Sequence, residues 1–116
     1  MVECITPIIS VKNLAASIDY YVKKLGFKKD WDWGDPPDFG SVSRDGWSIM
    51  MCQGGQGNAG TYIWIGVENV DECYEEFKMS GATVRKPPTN YPWACEMMVE
   101  DLDGHVLRIG SEPKDE

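Results

Sequence analysis

Val11–Gly26 reads VKNLAASIDYYVKKLG, and Val67–Gly81 reads VENVDECYEEFKMSG. Aligned on Val11 and Val67, the pairs Asn13/Asn69, Leu14/Val70, Ile18/Tyr74 and Tyr21/Phe77 keep one spacing, and Gly26/Gly81 falls one residue short of it. The chain therefore states one pattern twice. Each copy is an amphipathic helix with an Asn to cap the first turn, apolar residues at helical spacing and a Gly to stop it. An apolar run, CITPIISV or TYIWIGV, precedes each helix, and turn-separated strand segments follow it. Asp45-Gly46 and Asp103-Gly104 both lie between apolar runs, which is a strong short hairpin signal.

Working outward, Cys4 to Val11 reads as a strand and Leu14 to Leu25 as the first helix. Phe27 to Trp33 is a second strand, and GDPPDFG is a loop whose prolines oppose regular pairing. Gly40–Arg44 and Trp47–Cys52 form a hairpin, after which QGGQGNAG has the composition of a flexible linker. Thr61–Val67 opens the second unit, Val70–Ser80 is its helix, and Ala82 starts a strand that runs into KPPTNYPW, a Pro-rich loop. Ala94–Glu100 pairs with His105–Gly110, and the tail SEPKDE is expected to fray. The expected organisation is one α+β domain with a module at 1–53, a Gly-rich linker at 54–60 and a second module at 61–116. Each module is strand, helix, three strands.

The chain has 116 residues, enough for one small core, and neither half-length unit is expected to stand alone. Its 11 Lys and Arg face 19 Asp and Glu, a net charge of −8 with no basic stripe, which argues against nucleic acid as a partner. No signal peptide or membrane-length apolar run is visible, so no membrane role and a cytoplasmic location are expected. The 4 cysteines, Cys4, Cys52, Cys73 and Cys95, lack metal-type spacing and read as buried free thiols. The 5 tryptophans are the more pointed feature, because indole rings serve where flat ligands stack as well as in cores and interfaces.

Alternation sorts the strand faces. Trp47, Ile49 and Met51 share one side of their strand, Ile63, Ile65 and Val67 one side of theirs, and Leu107 and Ile109 one side of the last. These aliphatic sides suit packing under the helices, and Trp47 is expected in the core. The opposite sides carry Thr6, Met50, Tyr62, Trp64 and Arg108, a mixture suited to a ligand. His105 alternates away from Arg108 and reads as structural. With a single histidine, no catalytic constellation is expected.

The helix SIDYYVKKLGF, the closing EDLDGHVLRIG and the two strand-helix-three-strand units resemble the vicinal oxygen chelate superfamily over nearly the whole chain. That superfamily includes glyoxalase I, extradiol dioxygenases and the bleomycin resistance proteins. The resemblance implies two βαβββ modules forming an open, curled mixed sheet with the helices outside and the site on its concave face. Enzymes of the superfamily hold a divalent metal there, and matching their motifs points to Thr6, Met50, Tyr62 and Arg108. None is a usual ligand, so no metal, no other cofactor and no catalytic residue are expected. The alternative is a metal-dependent glyoxalase-like lyase or isomerase, or a dioxygenase, with displaced ligands such as Glu96, Cys52 or His105.

The segments ITPII, DWDWGDPPDFG, IWIGV and PWACEMMVEDLDGH are most similar to the metal-free bleomycin resistance proteins. Those are homodimers that sequester a cationic, planar-tailed antibiotic without chemistry. Carried over by motif, Asp30 and Trp31 would line the cleft from a loop, Trp64 from a strand and Trp93 from a proline-tryptophan loop. Trp33 and Tyr62 are candidates by position, with Met50 and Arg108 on the same face. Trp64 stays open between lumen filler and ligand platform, and the loop tryptophans between a ligand and a partner subunit. The expected partner is a flat, cationic small molecule such as a bleomycin-type antibiotic. A dimeric module without any small-molecule role is a third possibility.

Overall fold

The computed structural model describes residues 1–115; Glu116, which ends the expected second module and tail, lies outside them. Two units emerge, Met1–Ala59 and from Gly60 onward. In the first, β1 (Ile8–Val11) leads to α1 (Leu14–Leu25), then β2 (Lys28–Gly34), β3 (Pro37–Arg44) and β4 (Trp47–Gln53). The second repeats the order with β5 (Tyr62–Gly66), α2 (Val70–Ser80), β6 (Thr83–Asn90), β7 (Cys95–Glu100) and β8 (Val106–Ser111). Each unit has its own four-stranded sheet, ordered β1-β4-β3-β2 and β5-β8-β7-β6. The first and last strands of each unit pair in parallel, and the other pairs are antiparallel. This is the expected α+β arrangement of two βαβββ modules, each sheet open at both edges.

The helices form where their caps dictate. Asn13 Oδ1 accepts from the Ala16 N–H at 3.0 Å, and Asn69 Oδ1 from the N–H groups of Asp71 and Glu72 at 3.0 and 3.2 Å. In both units a side chain at the end of the last strand satisfies the next orphan donor. The Leu14 N–H donates to Gln53 Oε1 at 2.7 Å, and the Val70 N–H to Ser111 Oγ at 3.4 Å. Gly26 and Gly81 close the helices at φ 76° and 82°, the left-handed region that glycine enters without steric cost. The one-residue mismatch of the repeat is absorbed here. The Gly26 N–H reaches back to the Tyr21 carbonyl, one position further than Gly81 reaches to Phe77, so α1 fits one more residue into a wider final turn.

Each helix covers the aliphatic side of its own sheet. Ile9, Val11, Val42, Ile49 and Met51 are buried with Leu14, Ile18, Tyr21 and Leu25 in the first unit. Met97, Val99, Leu107 and Ile109 are buried with Val70 and Phe77 in the second.

Several expectations are corrected. Residues 4–7 precede β1 instead of belonging to it. Within GDPPDFG only Asp35-Pro36 make a tight turn: Gly34 ends β2 and β3 begins at Pro37, where a first-strand position tolerates the missing N–H. Most of KPPTNYPW belongs to β6, an edge strand, where Pro87 and Pro88 remove no inner ladder bond. Trp47 is 71% exposed, because it sits at the hairpin end beside the Asp45-Gly46 turn. Asp45 (φ 54°) and Gly46 (φ 85°) make that turn as expected. At Asp103-Gly104 the loop is longer, and Asp101 Oδ1 organises it by accepting the N–H groups of Asp103 and His105, both at 2.9 Å. The tail does not fray at Lys114, whose backbone exchanges two hydrogen bonds with the Asn90 side chain (2.9 and 3.1 Å) and whose Nζ pairs with Asp71. None of the four cysteines forms a disulfide; Cys52 and Cys95 are buried as expected, but Cys73 is half-buried and Cys4 is exposed.

Candidate functional site

The sheet side opposite α2 carries the polar and aromatic side chains of the second unit. Register sets Trp64, Arg108, Met98 and Lys86 in one row across β5, β8, β7 and β6, and Gly66, Gly110, Glu96 and Thr89 in the next. Side chains of paired residues share a face, so Glu96 comes up between Trp64 and Arg108. Gly66 and Gly110 leave space that the Trp64 indole fills. A methyl group on Gly66 would meet Trp64 Cζ3 at 2.9 Å, and one on Gly110 would meet Trp64 Cζ2 at 3.2 Å and Glu96 Cγ at 3.0 Å. The ring is thus laid over a glycine pair.

Glu96 is the hub. It is 4% exposed, its Oε1 accepts from Arg108 Nη2 at 2.7 Å, and its Oε2 accepts from Trp64 Nε1 at 2.8 Å. Trp93, in the turn between β6 and β7, lies near enough to help hold this carboxylate in its charged form. Trp93 stacks on Tyr91 with ring centroids 4.8 Å apart and planes 5° from parallel. Lys86 Nζ donates to the Tyr91 hydroxyl, and Arg85 Nη1 to the Tyr62 hydroxyl at 3.4 Å. Trp64 and Trp93 remain 55% and 63% exposed even though one is bonded to Glu96 and the other is stacked on Tyr91. The result is two indole faces presented to a guest in fixed orientation.

Burial pushes the Glu96 carboxyl up, but the hydrogen bonds from Arg108 and Trp64, with the nearby Trp93 indole and the Arg108 charge, outweigh it and hold the group below the ordinary value of 4.5. Arg108 is held correspondingly further into its charged form by the Glu96 hydrogen bond and charge. A lowered carboxylate pKa adds stability that is present above the ordinary value and lost as pH falls through the folded-state value. The melting-temperature gap between the wild type and Glu96→Gln is therefore expected to be full near pH 7 and to shrink below about pH 4. Thermal melts of the two proteins from pH 7 to pH 3 check this, and a gap that widens toward acid would contradict it.

The first unit gathers the remaining predicted residues on the side of its sheet away from α1. Ile8, Met50, Ser41 and Trp31 form one row across β1, β4, β3 and β2. Asp30 and Trp31 lie in β2, not in a loop. Asp30 sits at the bulge between Lys29 and Trp31 and accepts from Ser41 Oγ (3.1 Å) and Ser43 Oγ (2.7 Å). Trp31 stacks on Phe39 at 5.8 Å and 11°, and Trp33, opposite Phe39 in the ladder, is 73% exposed.

The residues do not fit a divalent metal. Arg108 occupies one position as a cation, Thr6 precedes β1, and Met50 and Tyr62 offer a thioether and a phenol. Of the displaced ligands, Glu96 is bound as described, His105 is fully buried with Nδ1 accepting the Thr61 N–H at 2.9 Å, and Cys52 is buried. Among the described residues no three His, Cys, Asp or Glu come together as a metal-holding group.

The bond from Trp64 to Glu96 and the stacking of Tyr91 on Trp93 were not read from the sequence. The available signal was a carboxylate set inside the apolar run of CEMMVE, in alternation with Met98 and opposite Met97 and Val99.

Comparisons with known proteins agree with this architecture. The family model described as Glyoxalase/Bleomycin resistance protein/Dioxygenase superfamily matches residues 4–109. No curated protein matches the chain. Among solved structures, TioX from Micromonospora sp. ML1 is similar at TM-score 0.83 and 19% identity, over 92% of this chain and 96% of that one. TnmS3 from Streptomyces sp. CB03234, described as an antibiotic binding protein, is similar at TM-score 0.79 and 19% identity, over 97% of each chain. A superfamily member from Sphaerobacter thermophilus DSM 20745 has TM-score 0.77 and 27% identity, over 97% of this chain and 98% of that one.

Proposed function

From the premise that the chain belongs to the glyoxalase/bleomycin resistance protein/dioxygenase superfamily, we propose that it is a binding protein that sequesters a flat small molecule of the antibiotic type. It acts as a homodimer, in the cytoplasm, without metal and without chemistry on its guest. One observation carries this reading: Trp64 and Trp93 are more than half exposed, yet Trp64 is held through its N–H by the buried Glu96 carboxylate and Trp93 is stacked on Tyr91. Ordered exposed indoles are stacking platforms, and each face contributes roughly 0.5–2 kcal/mol to a planar or cationic guest. The likeness to TnmS3, an antibiotic binding protein, supports the same class of guest.

Exposed Trp33 and Trp47 support a second copy as partner, since large aromatic rings in water favour an interface. Among the described residues no helix is long and apolar enough to cross a membrane. The net charge of −8 draws a cation such as bleomycin at long range. On contact, the guest meets carboxylates that are already engaged: Glu96 by Arg108, Asp30 by two serines, and Glu100 with Arg85 at 3.9 Å.

Tryptophan fluorescence tests the proposal, titrated with metal-free bleomycin and with flat polycyclic antibiotics, chelator present, at low and high salt. Saturable quenching at about one guest per chain by at least one of them is expected, and salt weakens it only for a charged guest. Absence of saturable quenching by every compound at micromolar concentrations would overturn the proposal.

A further inference from the structure

We infer that the Glu96–Arg108 ion pair is a charge lock on the aromatic face: while closed it admits uncharged flat guests and disfavours charged ones, and opening either half selects the opposite charge. The inference rests on the stacking reading above and names the class of guest.

Two donors are fixed on Glu96: Arg108 takes one oxygen and Trp64 the other, while the side chain is almost wholly buried. A cationic guest arriving on the indole faces finds no carboxylate to pair with unless it displaces Arg108. Arg108, for its part, is positioned by Glu96 at a cost to its own bonding. Its Nε is the one buried side-chain nitrogen or oxygen left without a hydrogen-bond partner among the described residues. A guanidinium free to choose would satisfy that donor, so its placement is dictated by the carboxylate. An anionic guest therefore competes with Glu96 for the same guanidinium.

The neighbouring cations do not alter the balance. Lys86 is engaged by the Tyr91 hydroxyl and lies 4.9 Å from the centre of that ring, and Arg85 is shared between Tyr62 and Glu100. What a guest touches first is two indole faces and a neutralised pair. Charge selectivity then follows from which member of the pair is present, because the rings themselves accept any flat π system.

Three tricyclic probes of similar area separate the cases: acridone (uncharged), proflavine (cationic) and anthracene-9-carboxylate (anionic). The wild type is expected to bind acridone about tenfold more tightly than either charged probe. Glu96→Gln keeps an acceptor for the Trp64 indole and frees Arg108, so it raises affinity for anthracene-9-carboxylate about tenfold. Arg108→Gln frees the carboxylate and raises affinity for proflavine by a similar factor, with Arg108→Met as a second form should the first fail to fold. Arg108→Lys keeps the charge and leaves the wild-type order in place.

An unchanged order of the three probes in folded Glu96→Gln and Arg108→Gln or Met proteins would overturn the charge lock. If acridone binding is also insensitive to loss of Trp64 and Trp93, or if no probe binds the wild type, the stacking reading itself fails. Loss of acridone binding on removal of the tryptophans, with charge preference fixed, would sink the lock alone.

Discussion

Replacing Trp64 and Trp93 together by alanine is expected to weaken binding of a flat, uncharged guest by about 100-fold while both helices and both sheets persist. Each indole contributes about 1–1.5 kcal/mol to a stacked guest, and a factor of ten corresponds to about 1.4 kcal/mol, so two faces give roughly two decades. Folding is spared because both rings are more than half exposed, so little core is removed, and because Glu96 keeps its strongest partner in Arg108. Each single variant is expected to lose about tenfold. Isothermal titration with acridone, alongside circular dichroism, checks both parts. Retained affinity in a folded double variant would remove Trp64 and Trp93 from the site.

The second large effect is on stability. Phe77→Ala is expected to cost about 3–5 kcal/mol, the range for emptying an aromatic ring from a packed core. Phe77 is 2% exposed beneath the second sheet, and its carbonyl accepts the N–H groups of Gly81 and Ala82 that end α2. Its repeat equivalent Tyr21 is fully buried, meets Phe27 edge-on at 5.4 Å, and accepts the matching bonds from Gly26 and Phe27. Small domains hold only about 5–15 kcal/mol, so the variant loses a large share of its stability. Trp47→Ala is the control, expected within about 0.5 kcal/mol because the ring is exposed. Urea unfolding monitored by circular dichroism compares them, and equal midpoints for the Phe77 and Trp47 variants would contradict the packing described.

The repeat made the fold legible. Asn13 with Gly26 and Asn69 with Gly81 bracket the observed helices Leu14–Leu25 and Val70–Ser80, because caps act through adjacent backbone groups and leave a local mark. The prolines misled, since a proline forbids a ladder bond only where the strand's N–H faces a neighbour. Pro87 and Pro88 lie on the edge strand β6, a property of the whole sheet and not of the local sequence. Trp47 misled for a related reason. Alternation tells which side a residue faces, but not how far along a strand the covering helix extends.

The same limit applies to the candidate site. Alternation placed Trp64 and Arg108 on one face, and the motif resemblance pointed to Trp93. The convergence of Trp64 and Arg108 on Glu96 depends on the register of β5, β7 and β8, and the placing of Trp93 on a turn outside those strands. In the first unit, the motif resemblance set Asp30 on a cleft-lining loop, whereas a bulge in β2 turns it onto two serine hydroxyls.

The most direct test of the stacking face is a proton–nitrogen NMR spectrum of the tryptophan indole N–H groups during titration with acridone. The chain has 5 tryptophans, hence five assignable signals. The signals of Trp64 and Trp93 are expected to move together along one saturating curve, while that of Trp47 stays in place. Saturable binding that leaves the Trp64 and Trp93 signals unmoved would contradict the account.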